Sequence, residues 1–261
     1  MRPNTVKQLW REGKPAVGCW LGVPSSYSAE IMANMGFDWV CVDTQHGAID
    51  YSTALPMLQA ISTTPAMPFV RVPWCEPSII MKYLDAGAYG VVVPMISSRA
   101  DAEMAVAACR YPPRGYRSAG PNRIVYYAGQ DYFEHADEEV ACIVMIETPE
   151  ALANLDDILS VPGLDAAYIG PSDLSQALGL GPRYNADNPK HAEAVTRVRE
   201  ACERHGVIPG IHTSGSGLSS RYITEGFKMI MLTTDTAGII AGARGELAAI
   251  QPALTAATAA I

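Results

Sequence analysis

The stretch ACIVMIETPEALANLDDILSVPGLDAAYIGPSDLS, residues 141–175, carries one pattern twice. An apolar run (ACIVMIE, 141–147) gives way to a helical segment, and a second apolar run (AAYIG, 166–170) ends on Pro-Ser-Asp. A strand with one face in water alternates apolar and polar residues. Runs that are apolar throughout belong to strands covered on both faces, as in a parallel sheet sheathed by helices. Between the two runs, Thr148 is a ready N-cap and Pro149 suits the first helical turn, where no N–H is needed. The stretch therefore predicts a strand, a helix, a second strand and the start of a second helix.

Working outward, the same kind of run recurs as AVGCWLG (16–22), DWVCVD (38–43), PFVRV (68–72), YGVVVPM (89–95), VIPGIH (207–212) and FKMIML (227–232). With the two above, these make eight. Helical segments separate them. SSYSAEIMANMG begins on serine caps and stops at Gly36, and EPSIIMKYLDAG has Pro77 near its start and Gly87 just past its end. Eight β/α units with right-handed crossovers predict an α/β fold, the (β/α)8 TIM barrel, as one domain over residues 1–261. A tail helix is expected at about 235–261, apolar enough to pack on its own barrel or on a neighbouring subunit. A doubly wound open sheet is the runner-up, but it would call for a Gly-rich turn after the first strand, where this chain has GVPSS. Two connections are long: 110–131, which carries four arginines, and 179–189. Each is read as a wall or lid of the site.

Composition narrows the function classes. Hydrophobic residues make up 49% of the 261, enough for a large core. The net charge of −8 with no basic cluster excludes a nucleic-acid surface. The six cysteines follow no metal or disulfide spacing, and Cys41 and Cys142 sit inside apolar runs as small buried hydrophobes. Free thiols suit a reducing compartment. The segment MRPNTVKQLWREGK has no apolar signal-peptide core, and Arg244 and Glu246 interrupt the alanine-rich tail, so no membrane span is expected. A cytoplasmic location follows.

In a barrel the C-terminal strand ends share one mouth. They carry Asp43, Gln45 and His46 after the second strand, Arg71 at the third, Glu147 at the fifth, Ser172 and Asp173 after the sixth, and His212 at the seventh. Glu147 and Asp173 lie about one β/α unit apart and should converge. Two such carboxylates repel unless a cation sits between them, and a hard divalent ion such as Mg²⁺ or Mn²⁺ fits that role. Each could also be no more than a polar helix start. Arg71, within FVRVPW, must pair: with a substrate carboxylate or developing oxyanion, or with Glu147 or Asp173 in a structural salt bridge. His46 is the acid/base candidate, since imidazole changes charge near neutral pH; a satisfied core histidine is the alternative. Asp85 in KYLDAGAYG stands at a helix end, where an aspartate is ordinarily exposed and idle. No lysine stands at these strand ends, which disfavours a Schiff base; Lys82 and Lys228 lie in other elements.

With these residues in place, the chain resembles the HpcH/HpaI aldolase family, the metal-dependent pyruvate aldolases. The resemblance runs from GCWLGVPSSYSAEIMANMGFDWVCVDTQHG through RVPW, LDAGAYGVVVPM and RYPPRGYRS to MIETPEAL and IGPSDLSQALG. It implies a lyase that cleaves 4-hydroxy-2-oxo acids reversibly to pyruvate, or hydroxypyruvate, and an aldehyde through an enolate. It implies Glu147 and Asp173 as ligands of Mg²⁺, Mn²⁺ or Co²⁺, Arg71 on the keto oxygen and His46 as base. Asp85 would pair with that histidine from an adjacent subunit, the Ser172 backbone N–H would receive the substrate carboxylate, and Trp20 would line the pyruvate pocket. It also implies a homohexamer, a trimer of dimers, that exchanges its last helix. Two positions depart from the family pattern: Met145, where a glutamine is usual, and His212, where a relative has an apolar residue over the aldehyde. The small-molecule partners are thus a 2-oxo acid and an aldehyde. The rival readings are an oxaloacetate-type decarboxylase using the same enolate, an acyl-CoA lyase, for which no added domain is seen, and a non-catalytic 2-oxo acid sensor.

Overall fold

The computed structural model describes residues 1–181 and 186–259. Eight parallel strands close into a barrel in sequence order: β1 (Ala16–Leu21), β2 (Trp39–Asp43), β3 (Met67–Arg71), β4 (Gly90–Val93), β5 (Ala141–Ile146), β6 (Ala166–Ile169), β7 (Ile208–His212) and β8 (Met229–Thr234). β8 returns to pair with β1, so residues more than 200 positions apart complete the sheet.

The connecting helices start and stop where local chemistry dictates. Asp50 accepts from Thr53 N at the start of Tyr51–Ile61, Thr148 from Ala151 N before Pro149–Ala153, and Ser98 and Asp101 form a reciprocal capping box on Arg99–Cys109. Helix Pro189–His205 ends on Gly206 in the left-handed conformation.

The lumen is filled by large rings set against small neighbours. Trp39 stacks on Phe69 and Trp20 on Tyr168, with ring centroids 5.7 Å apart in both pairs. Gly18 pairs with Trp39 across β1 and β2, and a Cβ on it would lie 2.0 Å from the Trp39 ring. Side chains alternate along a strand, so the face that buries Trp39 and Phe69 also carries Asp43, four residues on, and Arg71, two residues on, into the mouth.

Two expectations need correction, and for the tail helix one of two alternatives falls away. β8 runs 229–234 rather than 227–232, because Thr233 and Thr234 continue the ladder against Cys19 and Trp20. The 110–131 connection leads from a helix into a strand, which puts it at the opposite end of its own barrel from the mouth. There Arg110 donates to the carbonyls of Val140 and Gly163, which lie just ahead of β5 and β6, so this connection is neither wall nor lid of its own site. The tail helix (Asp235–Ala259) is fastened at its base, where Asp235 accepts from Gly22 N and Val23 N. Beyond that its surface is exposed, including Ile239, Leu247 and Leu254, so it does not pack along its own barrel. Within the expected lid at 179–189, residues 182–185 lie outside the described residues. Among the described residues no helix is long and apolar enough to cross a membrane.

Candidate active site

Asp43 and Arg71 are the last residues of two hydrogen-bonded strands and stand in direct register. The Arg71 guanidinium grips the carboxylate with two prongs, Nε to Oδ1 at 2.9 Å and one terminal nitrogen to Oδ2 at 2.5 Å. The other terminal nitrogen has no protein partner among the described residues. Burial pushes the Asp43 carboxyl upward, but its bonds to Arg71 outweigh that and hold it below the ordinary range. Asp43 also accepts from the backbone N–H of Gln45 and His46, which ties the histidine-bearing turn to the same pair. The sequence had offered Glu147 or Asp173 as the structural partner of Arg71; the partner is Asp43.

Glu147 follows β5 and is 3% exposed. One of its oxygens accepts the backbone N–H of Met95 at 2.9 Å. Met95 has φ +58°, the only non-glycine residue in the left-handed region among those described, and this strained backbone aims its N–H at the carboxylate. Gly170 packs against the other oxygen so closely that a Cβ there would lie 2.2 Å from it. Burial raises the Glu147 carboxyl to about 7; the Asp173 charge adds to the rise, while the Met95 N–H and Arg71 oppose it. Asp173, in the first turn of helix Pro171–Ala177, is exposed. A buried carboxylate with no direct cationic partner among the described residues, beside a second carboxylate, fits a divalent cation with two protein ligands and open positions for substrate. Among the described residues no group of three or more His, Cys, Asp or Glu gathers to hold a metal ion, here or elsewhere, so the protein would offer this pair alone.

A cavity of about 340 Å³ opens over the mouth, lined among others by Trp20, Asp43, His46, Arg71, His212 and Thr234. His46 is exposed and its ring makes no hydrogen bond among the described residues. The Trp20 ring lies 5.1 Å from the Arg71 guanidinium carbon and meets the His212 ring edge-on at 5.2 Å. Its buried indole N–H has no partner among the described residues. Ser172 is exposed beside Asp173 and lines a neighbouring cavity with His212. Met145 is buried, its methyl end packed near Gly170.

Asp85 is the expected site residue that stands apart. It lines a separate groove with Lys82 and Arg123, and it is not idle: the wholly buried Arg117 donates to it at 2.7 Å. Sequence reading named Asp43 but gave it no role, and it missed Tyr168 and Met95. The available signal for Asp43 was its place as the last residue of β2, one β/α unit before Arg71.

Comparison with known proteins gives a consistent picture. The family model described as HpcH/HpaI aldolase/citrate lyase matches residues 16–241. The chain is 42% identical over 245 residues to a hydroxypyruvate/pyruvate aldolase of Rhizorhabdus wittichii, covering 94% of this chain and 98% of that protein. It is 38% identical over 251 residues to a 4-hydroxy-2-oxo-heptane-1,7-dioate aldolase of Klebsiella pneumoniae, covering 92% and 91%. The crystal structure of an aldolase/citrate lyase family protein from Burkholderia cenocepacia superimposes with a TM-score of 0.89 at 31% identity, covering 95% of this chain and 99% of that one.

Proposed function

Because the chain belongs to the HpcH/HpaI aldolase/citrate lyase family, we propose that its mouth performs the reversible aldol cleavage of a 4-hydroxy-2-oxo acid to pyruvate, or hydroxypyruvate, and an aldehyde. The observation that carries this reading is Glu147: a buried carboxylate that feels the charges of Asp173 and Arg71 and has no direct cationic partner among the described residues.

Glu147 and Asp173 would hold Mg²⁺, Mn²⁺ or Co²⁺, which when bound supplies Lewis-acid polarisation of the 2-oxo group. The chain's own groups do the rest. Arg71, immobilised by Asp43, offers its unpartnered terminal nitrogen to the 2-oxo oxygen and stabilises the negative charge that develops there. The Ser172 backbone N–H receives the substrate carboxylate, and Trp20 walls the pocket. In the addition direction His46 takes a proton from the pyruvate methyl group, and the resulting carbon forms a bond to the aldehyde carbon, whose oxygen is then protonated. In cleavage His46 takes the proton of the 4-hydroxyl, the C3–C4 bond breaks, and its electron pair passes into the enolate. His212 faces the incoming aldehyde.

The His46 ring has no partner among the described residues, and the tail helix leaves its apolar residues uncovered. Both support a homo-oligomer, a hexamer on the family resemblance, in which the tail helix crosses to a neighbour and Asp85 reaches a neighbour's His46. Thiols that are free and mostly buried support a cytoplasmic protein.

The test avoids the unknown aldehyde. Deuterium uptake at the pyruvate methyl in D₂O, followed by proton NMR, should require Mn²⁺ or Mg²⁺, stop with EDTA and vanish in His46→Ala. Exchange that persists in His46→Ala removes that residue from the base role. No exchange from either pyruvate or hydroxypyruvate overturns the aldolase reading.

A further inference from the structure

β8 does not pair with β1 at an even pace. Ala16, Val17 and Gly18 stand level with Met229, Ile230 and Met231, but Cys19 and Trp20 stand level with Thr233 and Thr234, so the ladder skips Leu232. Partners in a parallel ladder share a face, and Gly18 and Trp20 both face the lumen. The skip therefore places Met231 and Thr234, three residues apart, on the lumen face together. Strict alternation would have sent Asp235 inward after Met231. The irregularity turns it instead toward the chain that leaves β1.

Asp235 meets that chain where the ladder stops. Trp20 and Thr234 are its last partners, and beyond them the chain coils into the tail helix. Gly22 and Val23, just past β1, are left with backbone N–H groups and no strand carbonyl opposite them. The Asp235 carboxylate takes the place of the missing rung. Its Oδ1 accepts from Gly22 N at 3.0 Å and from Thr236 N at 2.7 Å, and its Oδ2 accepts from Val23 N at 2.9 Å. Asp235 is 2% exposed, and backbone donors alone hold its carboxylate among the described residues.

This side chain shapes the mouth rather than the barrel, since the ladder that closes the sheet is complete at Trp20. Gly22, Thr234 and Thr236 all line the 340 Å³ cavity over Arg71 and His46. Trp20, two residues before Gly22, walls the same cavity and lies 5.1 Å from the Arg71 guanidinium carbon. The Asp235 carboxylate makes no hydrogen bond to Glu147, Asp173, Arg71 or His46 among the described residues.

We propose that Asp235 is a positioning residue for the bound 2-oxo acid: from the base of the tail helix it holds the Gly22–Val23 turn, and through it the Trp20 wall, in the shape that receives the substrate. This rests on the aldolase reading of the site. Because Asp235 is bonded to the wall and to none of the groups that hold metal or move protons, its loss weakens substrate binding more than it slows proton transfer.

The experiment follows C3 hydrogen exchange of pyruvate, or of hydroxypyruvate if only that exchanges, by the Mn²⁺-loaded enzyme over a range of substrate concentrations, with thermal melts alongside. Asp235→Ala should raise KM at least fivefold while kcat stays within threefold. In Asp235→Asn the amide nitrogen cannot accept from Val23, so KM should rise at least threefold but less than in the alanine variant. Trp20→Ala should raise KM as well. Adding Asp235→Ala to it should change KM less than twofold further, because the wall that Asp235 positions is already gone. A wild-type KM in Asp235→Ala, or in Asp235→Asn should the alanine variant not fold, overturns the proposal even where Tm falls, since the clamp would then be structural only. A full Asp235→Ala effect on top of Trp20→Ala overturns the route through Trp20. No exchange of either substrate by the wild type defeats the aldolase reading, whereas wild-type exchange with an indifferent Asp235 defeats only this one.

Discussion

Asp43 and Arg71 face each other across neighbouring strand ends and share two hydrogen bonds, so the guanidinium is oriented before any substrate arrives. The same carboxylate holds the backbone of the His46 turn. Asp43→Asn should therefore lower kcat/KM by about 10²-fold, roughly 3 kcal/mol of transition-state stabilisation, with the fold intact. Arg71→Lys should do comparable harm, because an ammonium cannot grip a carboxylate with two prongs and still offer a fixed third donor. Steady-state pyruvate release with circular dichroism on each variant checks this. Wild-type rates in Asp43→Asn would reduce the pair to a structural salt bridge.

Glu147 makes the metal-free protein pH-sensitive. Its folded carboxyl sits at about 7 against an ordinary 4.5, so the native state binds more protons than the unfolded state between those values. Stability from this group is complete below about 4.5 and is lost as pH rises through about 7, by at most about 3 kcal/mol. A divalent cation needs the ionised form. Saturating Mn²⁺ should thus raise Tm more at pH 8 than at pH 6, and Glu147→Gln should abolish both trends. Thermal melts across pH with Mn²⁺ or EDTA test it; a Mn²⁺ shift that is unchanged in Glu147→Gln would place the ion elsewhere.

Gly170 lies against Glu147 so tightly that only a hydrogen fits. Gly170→Ala should displace the carboxylate and weaken Mn²⁺ binding at least tenfold by calorimetry, while the far-ultraviolet circular dichroism is retained. Unchanged affinity would show that the carboxylate swings aside without consequence.

The tail helix exposes Leu247 and Leu254. Replacing both with glutamate should shift the protein to a smaller species in sedimentation velocity, since charged side chains do not enter an apolar subunit contact. An unchanged sedimentation coefficient would detach the tail from assembly.

Much of this was legible in the sequence for a physical reason. Parallel strands buried on both faces write themselves as apolar runs, and helix caps punctuate the intervals, so eight units could be counted. The strand ends then brought Glu147, Asp173, His46 and Arg71 to one mouth. Partnerships were not legible, because they depend on register and depth. Arg71 meets Asp43 because those two residues end adjacent strands level with each other. Tyr168 reads as one more apolar strand residue until its hydroxyl is found beside His212. Arg117 was one of four arginines in a long connection, and nothing local marks it as the buried partner of Asp85, 32 positions away. The strained backbone of Met95 has no sequence signature at all.

Closure of the barrel by β8 against β1 has a consequence for biosynthesis. During translation β1 is made more than 200 residues before its second neighbour, so the nascent chain carries an incomplete sheet whose outer edges, β1 and β7, have no ladder partner until Met229–Thr234 emerges. An mRNA truncated before β8 would therefore yield chains with two sticky edges, the form most prone to capture by chaperones or by one another.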